Sequence, residues 1–170
     1  GAPVHIDSDV RRVKHKFPAK SLDKTKDINK DIETVNKSES TVKGVILMWK
    51  LDGSTVQLTY NDGKLINAAT RGDGVVGQDI THNAPFIHGI PTTIKEKGFV
   101  TVRGEAVMKY SSFDKLNASL SPNDQYENPR NLANATITMK DPNEMKKREI
   151  HFKAFDLVYH PSMKNMLFSE

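Results

Sequence analysis

The sequence predicts an α+β fold with mainly antiparallel sheets and short helices, on three observations. Residues 54–60 and 99–108 alternate apolar with polar side chains, the period of strands with one face buried. Asn61-Asp62-Gly63 lies directly after the first of these and supplies hairpin chemistry before a third β-prone stretch at 64–70. Strands and short helical stretches then intermix without a regular βαβ alternation, and no internal repeat is visible.

Taken in order, residues 1–43 carry ten Lys/Arg and seven Asp/Glu, with apolar residues such as Phe17, Leu22 and Ile28 standing alone. This reads as a polar N-terminal arm, separate from a domain at 44–170. Within the arm, Ser21-Leu22-Asp23-Lys24-Thr25 reads as an ordered loop. Ile28, Ile32 and Val35 then recur at helical spacing and predict an amphipathic helix over 27–37. Val45-Ile46-Leu47-Met48-Trp49 is short, apolar and β-prone, as expected of a strand buried on both faces. In the first alternating strand Val56, Leu58 and Tyr60 share one face. In the second, Thr101, Arg103 and Glu105 oppose Val100, Val102, Ala106 and Met108, so a polar face is offered to a ligand. Between them, 72–77 reads as a glycine loop and 78–86 as a short helix. Ser111 followed by Asp114 predicts a helix opening there and running to 120, Pro129 one starting in its first turn and reaching 135, and 150–159 a closing strand.

The 170 residues suffice to bury a hydrophobic core, and the absence of cysteine removes thiolate nucleophiles, cysteine zinc sites and redox switches. The longest apolar run, 45–49, is far short of the roughly 20 residues of a membrane span, and no signal-peptide pattern is present. A soluble, cytoplasmic chain is the expectation. Lys+Arg of 25 against Asp+Glu of 21 gives a net charge of +4, which permits a phosphate-rich partner without requiring one. His82, His88, His151 and His160 have no metal-ligand spacing, and no protein-bound metal is expected.

The sharpest chemical feature is Lys50-Leu51-Asp52-Gly53, between the apolar run and the first alternating strand. A lysine at the end of an apolar strand is stripped of part of its water, which favours the uncharged, nucleophilic amine, and a neighbouring carboxylate can orient it. Gly53 permits a tight turn or close approach to a ligand. Alone, the four residues read as an ordinary surface turn of the Asp-Gly type.

The motif is followed by Ala69-Thr70-Arg71-Gly72-Asp73-Gly74-Val75-Val76-Gly77-Gln78-Asp79-Ile80-Thr81, then Val102-Arg103-Gly104-Glu105, then Asn128-Pro129-Arg130-Asn131. In order and spacing this resembles the adenylation domain of NAD-dependent, bacterial-type DNA ligases. The similarity runs from about His15 to Tyr159 and includes Pro18-Ala19-Lys20-Ser21-Leu22-Asp23. It implies an incomplete nucleotidyltransferase core of the ATP-grasp-like ligase type. It makes Lys50 the nucleophile that takes AMP from NAD, Asp52 its orienting carboxylate, and Arg71 and Glu105 neighbours of the AMP ribose. Ser21, Leu22 and Leu51 would touch the nucleotide, and Arg130 would contact a DNA phosphate. Magnesium would accompany the substrate, nicked double-stranded DNA would be the target, and no membrane partner is implied.

Three departures from the family pattern stand out. Met48 occupies the place of a glutamate that helps hold adenine. Asn134-Ala135-Thr136-Ile137-Thr138 replaces a segment that carries a DNA-facing arginine. Two later lysine-bearing segments are absent, a type of electrostatic stabilisation worth about 3 kcal/mol or more per group in enzyme sites. The expectation is therefore a partial ligase completed by a complementary chain or segment, with a non-catalytic nucleotide or nucleic-acid binding module as the alternative. An ATP-dependent ligase or capping-type enzyme would share the lysine motif and leave the Arg71 segment unexplained.

Overall fold

The computed structural model describes residues 11–19, 27, 29, 33 and 48–165. The chain divides into two compact units, Gly1–Ala19 together with Leu51–Glu170, and Lys20–Lys50.

In the smaller unit Asn29 and Glu33 are helical, and Asp27 Oδ1 accepts from the Asn29 backbone N–H at 3.0 Å, as a helix N-cap does. Ser21 and Leu22 lie outside the described residues, as do 45–47 and most of 27–37. Met48 and Trp49, assigned from sequence to a strand buried on both faces, are exposed and in no strand; Trp49 is 93% exposed.

The larger unit is α+β. A four-stranded antiparallel sheet runs in the order β3-β2-β5-β6, with β2 at Ser54–Asn61, β3 at Lys64–Thr70, β5 at Phe99–Val107 and β6 at His151–Tyr159. A small second sheet pairs β1 (Arg12–Lys14) with β4 (Val76–Gln78). The β2–β3 hairpin turns through Asp62 and Gly63 at φ 48° and 82°, the left-handed pair whose twist matches the flanking strands.

Alternation divides the large sheet into two faces. Val56, Leu58 and Tyr60 of β2 and Val100 and Ala106 of β5 are buried in the hydrophobic core. Against them pack Ile80, Ala84 and Ile87, helix α2 (Pro129–Ile137) through Leu132, Ala133 and Ile137, and Met145 from the short helix α3 (Pro142–Met145). Burial holds the Tyr60 hydroxyl un-ionised, its pKa pushed up to about 12, while it donates to the Pro91 carbonyl at 2.9 Å. Helix α2 is capped at its start by Asn128, whose side chain accepts from the Asn131 N–H at 2.9 Å, with Pro129 beside the cap as the sequence suggests. At its end Asn83 Nδ2 donates to the carbonyls of Ile137 and Met139, both at 2.8 Å, so carbonyls without helical partners are satisfied by a buried amide.

Two sequence expectations need correction, and one element was not foreseen. Within the stretch read as a polar arm, 12–14 form a strand, and His15 and Ala19 are buried. Isolated apolar residues hid this because a three-residue strand has no readable period. The helix expected over 78–86 is instead the end of β4, turns and a 3-10 helix at Ala84–Phe86. Thr81 bonds Asp79 and the Ala68 N–H, competing with the helical ladder, and Pro85 has no N–H to give. Helix α1 (Tyr110–Ala118) is capped by Lys109 without a side-chain bond, so neither Ser111 nor Asp114 opens it.

Glu149 ties α1 to the start of β6. Its Oε1 accepts from His151 Nε2 at 2.8 Å and Lys109 Nζ at 2.9 Å, and its Oε2 from Ser112 Oγ at 2.9 Å. The His151 bond first, then those of Lys109 and Ser112, pull its carboxyl pKa down to about 2. A folded pKa below the unfolded value gives stability that is full above about pH 4.3 and lost as pH falls through the folded value. Glu149→Gln is expected to lower Tm at neutral pH, with the difference from wild type shrinking below about pH 4 and closing near pH 2 in a thermal-melt series. Leu132→Ala, which empties a fully buried site between α2 and the sheet, is expected to cost about 2–5 kcal/mol in urea denaturation.

Candidate active site

The second face of the large sheet is polar. Antiparallel register sets Thr55 opposite Glu105, Gln57 opposite Arg103 and Thr59 opposite Thr101, and directly opposed residues point to the same side. Alternation in both strands had predicted this surface. Glu105 is held at both oxygens, by the Gly53 N–H on Oε1 at 3.2 Å and by Thr55 Oγ1 on Oε2 at 2.9 Å. Gly53 is needed there because a Cβ would be driven into the Ala106 carbonyl and to 2.8 Å from Val107 Cγ1. A carboxylate oxygen has two lone-pair sites, so Glu105 keeps accepting capacity for a hydroxyl.

Residues 15–18 lie over this face. Arg103 Nη2 donates to the Pro18 carbonyl at 3.2 Å and Gln57 Oε1 at 3.5 Å, while Nη1 pairs with Asp156 at 3.3 Å. The ion partner of Arg103 is thus Asp156 rather than Glu105. Its buried Nε has no protein partner, nor has Thr101 Oγ1. Gln57 Nε2 reaches the Phe17 carbonyl at 3.3 Å, Phe17 stacks on Tyr159 with ring centroids 4.9 Å apart, and Lys16 Nζ sits 3.3 Å from the centre of the Phe99 ring. Sequence reading passed over His15 here, and alternation placed Gln57 on the polar face of β2 with Thr55 without giving it a role.

Arg71 follows β3 and opens the glycine turn. Its backbone N–H donates to the Thr55 carbonyl at 3.0 Å, and its own carbonyl accepts from Gly74 at 3.0 Å. Gly72 and Gly74 adopt φ of 57° and 95°, which is the reason for glycine at both. Asp73 Oδ1 accepts from the backbone N–H groups of Val76 at 2.7 Å and Val75 at 2.8 Å, bonds that hold its pKa below the usual carboxylate range. These amides are satisfied inside the turn, so it is not an open phosphate cradle.

Lys50, in the smaller unit, is exposed and outside regular structure, so the burial expected from an apolar strand is not supplied to it. Leu51 is 40% exposed. Asp52 pairs with Arg130, Oδ1 to Nη1 at 3.5 Å, both side chains more than half exposed. Arg130 is the second residue of α2. The histidines at 82, 88, 151 and 160 have partners of their own: His82 at the Met139 carbonyl, His88 stacked on His151, His151 on Glu149, and His160 on Ser162. Among the described residues no three His, Asp or Glu side chains gather as a metal cluster, and no helix is long and apolar enough to cross a membrane.

Comparison with known proteins matches the family model for the NAD-dependent DNA ligase adenylation domain over residues 7–168. The chain is 41% identical over 152 residues to a DNA ligase of Ruminiclostridium cellulolyticum, covering 89% of this chain and 22% of that protein. It is 36% identical over 155 residues to one from Leptospira biflexa, 91% and 23% of the two chains. A DNA ligase of Nautilia profundicola is 46% identical over 105 residues, 61% and 16%. The chain therefore spans less than a quarter of the length of these curated relatives. A match over nearly all its residues means that this chain belongs to the NAD-dependent DNA ligase adenylation domain family.

Proposed function

We propose that this chain supplies the nucleophile and part of the AMP pocket of a ligase that seals nicks in duplex DNA, with NAD as the adenylate donor. Lys50 Nζ, after giving up a proton, attacks the α-phosphorus of NAD. The bond from that phosphorus to the nicotinamide mononucleotide oxygen breaks, nicotinamide mononucleotide leaves, and AMP remains on Lys50 as a phosphoramidate. A DNA 5′-phosphate then takes the AMP and frees the amine. Glu105 and Arg71 are assigned to the ribose, since carboxylate and guanidinium bond sugar hydroxyls well. Asp52 orients Lys50, Leu51 lies against the nucleotide with Ser21 and Leu22, and Arg130 meets a DNA phosphate. Magnesium enters with the substrate's phosphates.

The observation that supports this reading best is the mounting of Glu105: its carboxylate is fixed on the polar face by the N–H of Gly53, three residues after Lys50. Two features qualify the individual roles. Exposure of Lys50 means that desolvation must come from the bound nucleotide, not from the fold of the free chain. The Asp52–Arg130 pair means that a DNA phosphate at Arg130 competes with Asp52, so the two proposed roles are coupled. Methionine at position 48 leaves adenine without the family's carboxylate, and its recognition rests on the remaining contacts.

The reading includes a nucleotidyltransferase core completed by a further ligase segment, working in the cytoplasm. Intact-mass measurement after incubation with NAD and magnesium tests it. The chain alone is expected to gain little or no mass; with the remaining ligase polypeptide added, it is expected to gain one AMP, and Lys50→Ala to abolish the gain. Absence of an adduct on Lys50 with every complement would overturn the proposal.

A further inference from the structure

His15, which touches the Arg71 turn, is only 8% exposed although it stands in a stretch of exposed cations, Arg11, Arg12, Lys14 and Lys16. Its ring lies between the turn and β2. Nε2 is 3.1 Å from the Arg71 carbonyl, and Nδ1 is 3.4 Å from Gln57 Nε2. Its backbone N–H donates to the Val75 carbonyl at 2.8 Å, and the Ala19 N–H to the Gly74 carbonyl at 2.7 Å, so residues 15–19 strap the turn through three of its carbonyls. The ring also rests on bare backbone, because a Cβ at Gly77 would come within 2.9 Å of Nε2 and collide with the Thr70 carbonyl.

The partners fix the position of the ring proton. A carbonyl oxygen only accepts, so the nitrogen facing Arg71 carries the hydrogen. At the other nitrogen, Gln57 is oriented by Arg103: a guanidinium only donates, so Gln57 turns Oε1 toward Nη2 and Nε2 toward His15. Nδ1 must then be bare. Donation runs in one direction, from Arg103 to Gln57 to His15 to the carbonyl of Arg71, ending on the residue whose side chain the proposed function assigns to the ribose.

We infer that His15, as the neutral ring with its proton on Nε2, is a positioning residue for Arg71, joining the Arg71 turn to the polar sheet face that carries Glu105. The inference rests on the adenylate reading for its consequence and on the geometry alone for its tautomer and its hold on the turn. It gives the strap the role of setting the carbonyl from which Arg71 projects. Mere filling of space would be insensitive to which ring nitrogen is kept.

The test uses the full chain labelled with ¹⁵N and ¹³C, with His15→Gln, whose amide nitrogen reaches the Nε2 position, and His15→Asn, whose amide reaches only the Nδ1 position. In wild type, long-range ¹H–¹⁵N spectra at neutral pH are expected to show the Nε2–H tautomer. His15→Asn is expected to shift the Arg71 carbonyl ¹³C signal, to raise the mobility of the Gly72 and Gly74 amides, and to weaken AMP binding about three- to tenfold, the loss of one net hydrogen bond. His15→Gln is expected to restore the carbonyl signal and the rigidity of the turn. An Nδ1–H ring or an imidazolium in wild type, or equal effects of the two variants on 71–76, would overturn the inference. Wild-type chain that gives no AMP-induced shifts near Arg71 and Glu105 would overturn the adenylate reading instead, and the tautomer and turn measurements would still decide the role of His15.

Discussion

The antiparallel register of β2 against β5 sets Thr55 opposite Glu105 and Gln57 opposite Arg103, and a slip of one residue in either strand would turn that strand's two toward the hydrophobic core. Burying an unpaired carboxylate or guanidinium among Leu58, Val100 and Leu132 costs several kcal/mol, so the apolar face enforces the register that the polar face uses. The core thus decides where Glu105 stands as surely as its hydrogen bonds do. Gly104 is part of the same constraint, since a Cβ there would run into the Phe152 ring where β6 crosses.

Over Gln57 and Arg103 the polar face is covered by chain rather than solvent. Arg103, with a side chain only 12% exposed, is balanced by Asp156 and by the carbonyl of Pro18, which draws residues 15–18 across β2, β5 and β6. Pairing of this kind adds little net stability once desolvation is counted, and its value lies in specifying one arrangement of the strap. The opposite face has a different character. A cleft of about 560 Å³ opens there between Tyr60, Ile94, Val102, Phe152 and Leu157, with His160 and Ser162 also in its lining; it plays no part in the adenylate reading.

Residues 54–61, 64–70, 99–107, 129–137 and 151–159 were legible in the sequence because each carries a period long enough to read, or a cap such as Asn128-Pro129. The same alternation located Glu105. Strands β1 and β4 were not legible, since three residues have no period and their pairing is a tertiary event. Residues 78–86 misled because spacing alone does not show that Thr81 will bond Asp79 and Ala68. The Val45-Ile46-Leu47-Met48-Trp49 run promised burial, yet apolar composition does not supply a partner, and Met48 and Trp49 stand exposed. Lys50 and Asp52 were singled out by their place after an apolar run, and their assigned roles, like those of Arg71 and Arg130, came through resemblance, since nothing in their local spacing separates them from surface cations and a turn carboxylate. His15 escaped notice because its function follows from partners at positions 57 and 71.

The central claim is that the polar face of β2 and β5, bordered by the Arg71 turn, is where an adenylate sits. A crystal structure of the chain grown with AMP tests it most directly. The account predicts the ribose hydroxyls within hydrogen-bond distance of Glu105 and the Arg71 guanidinium. AMP bound with its ribose elsewhere, for instance in the apolar cleft beside Tyr60 and Phe152 while Glu105 keeps only Gly53 and Thr55, would contradict it.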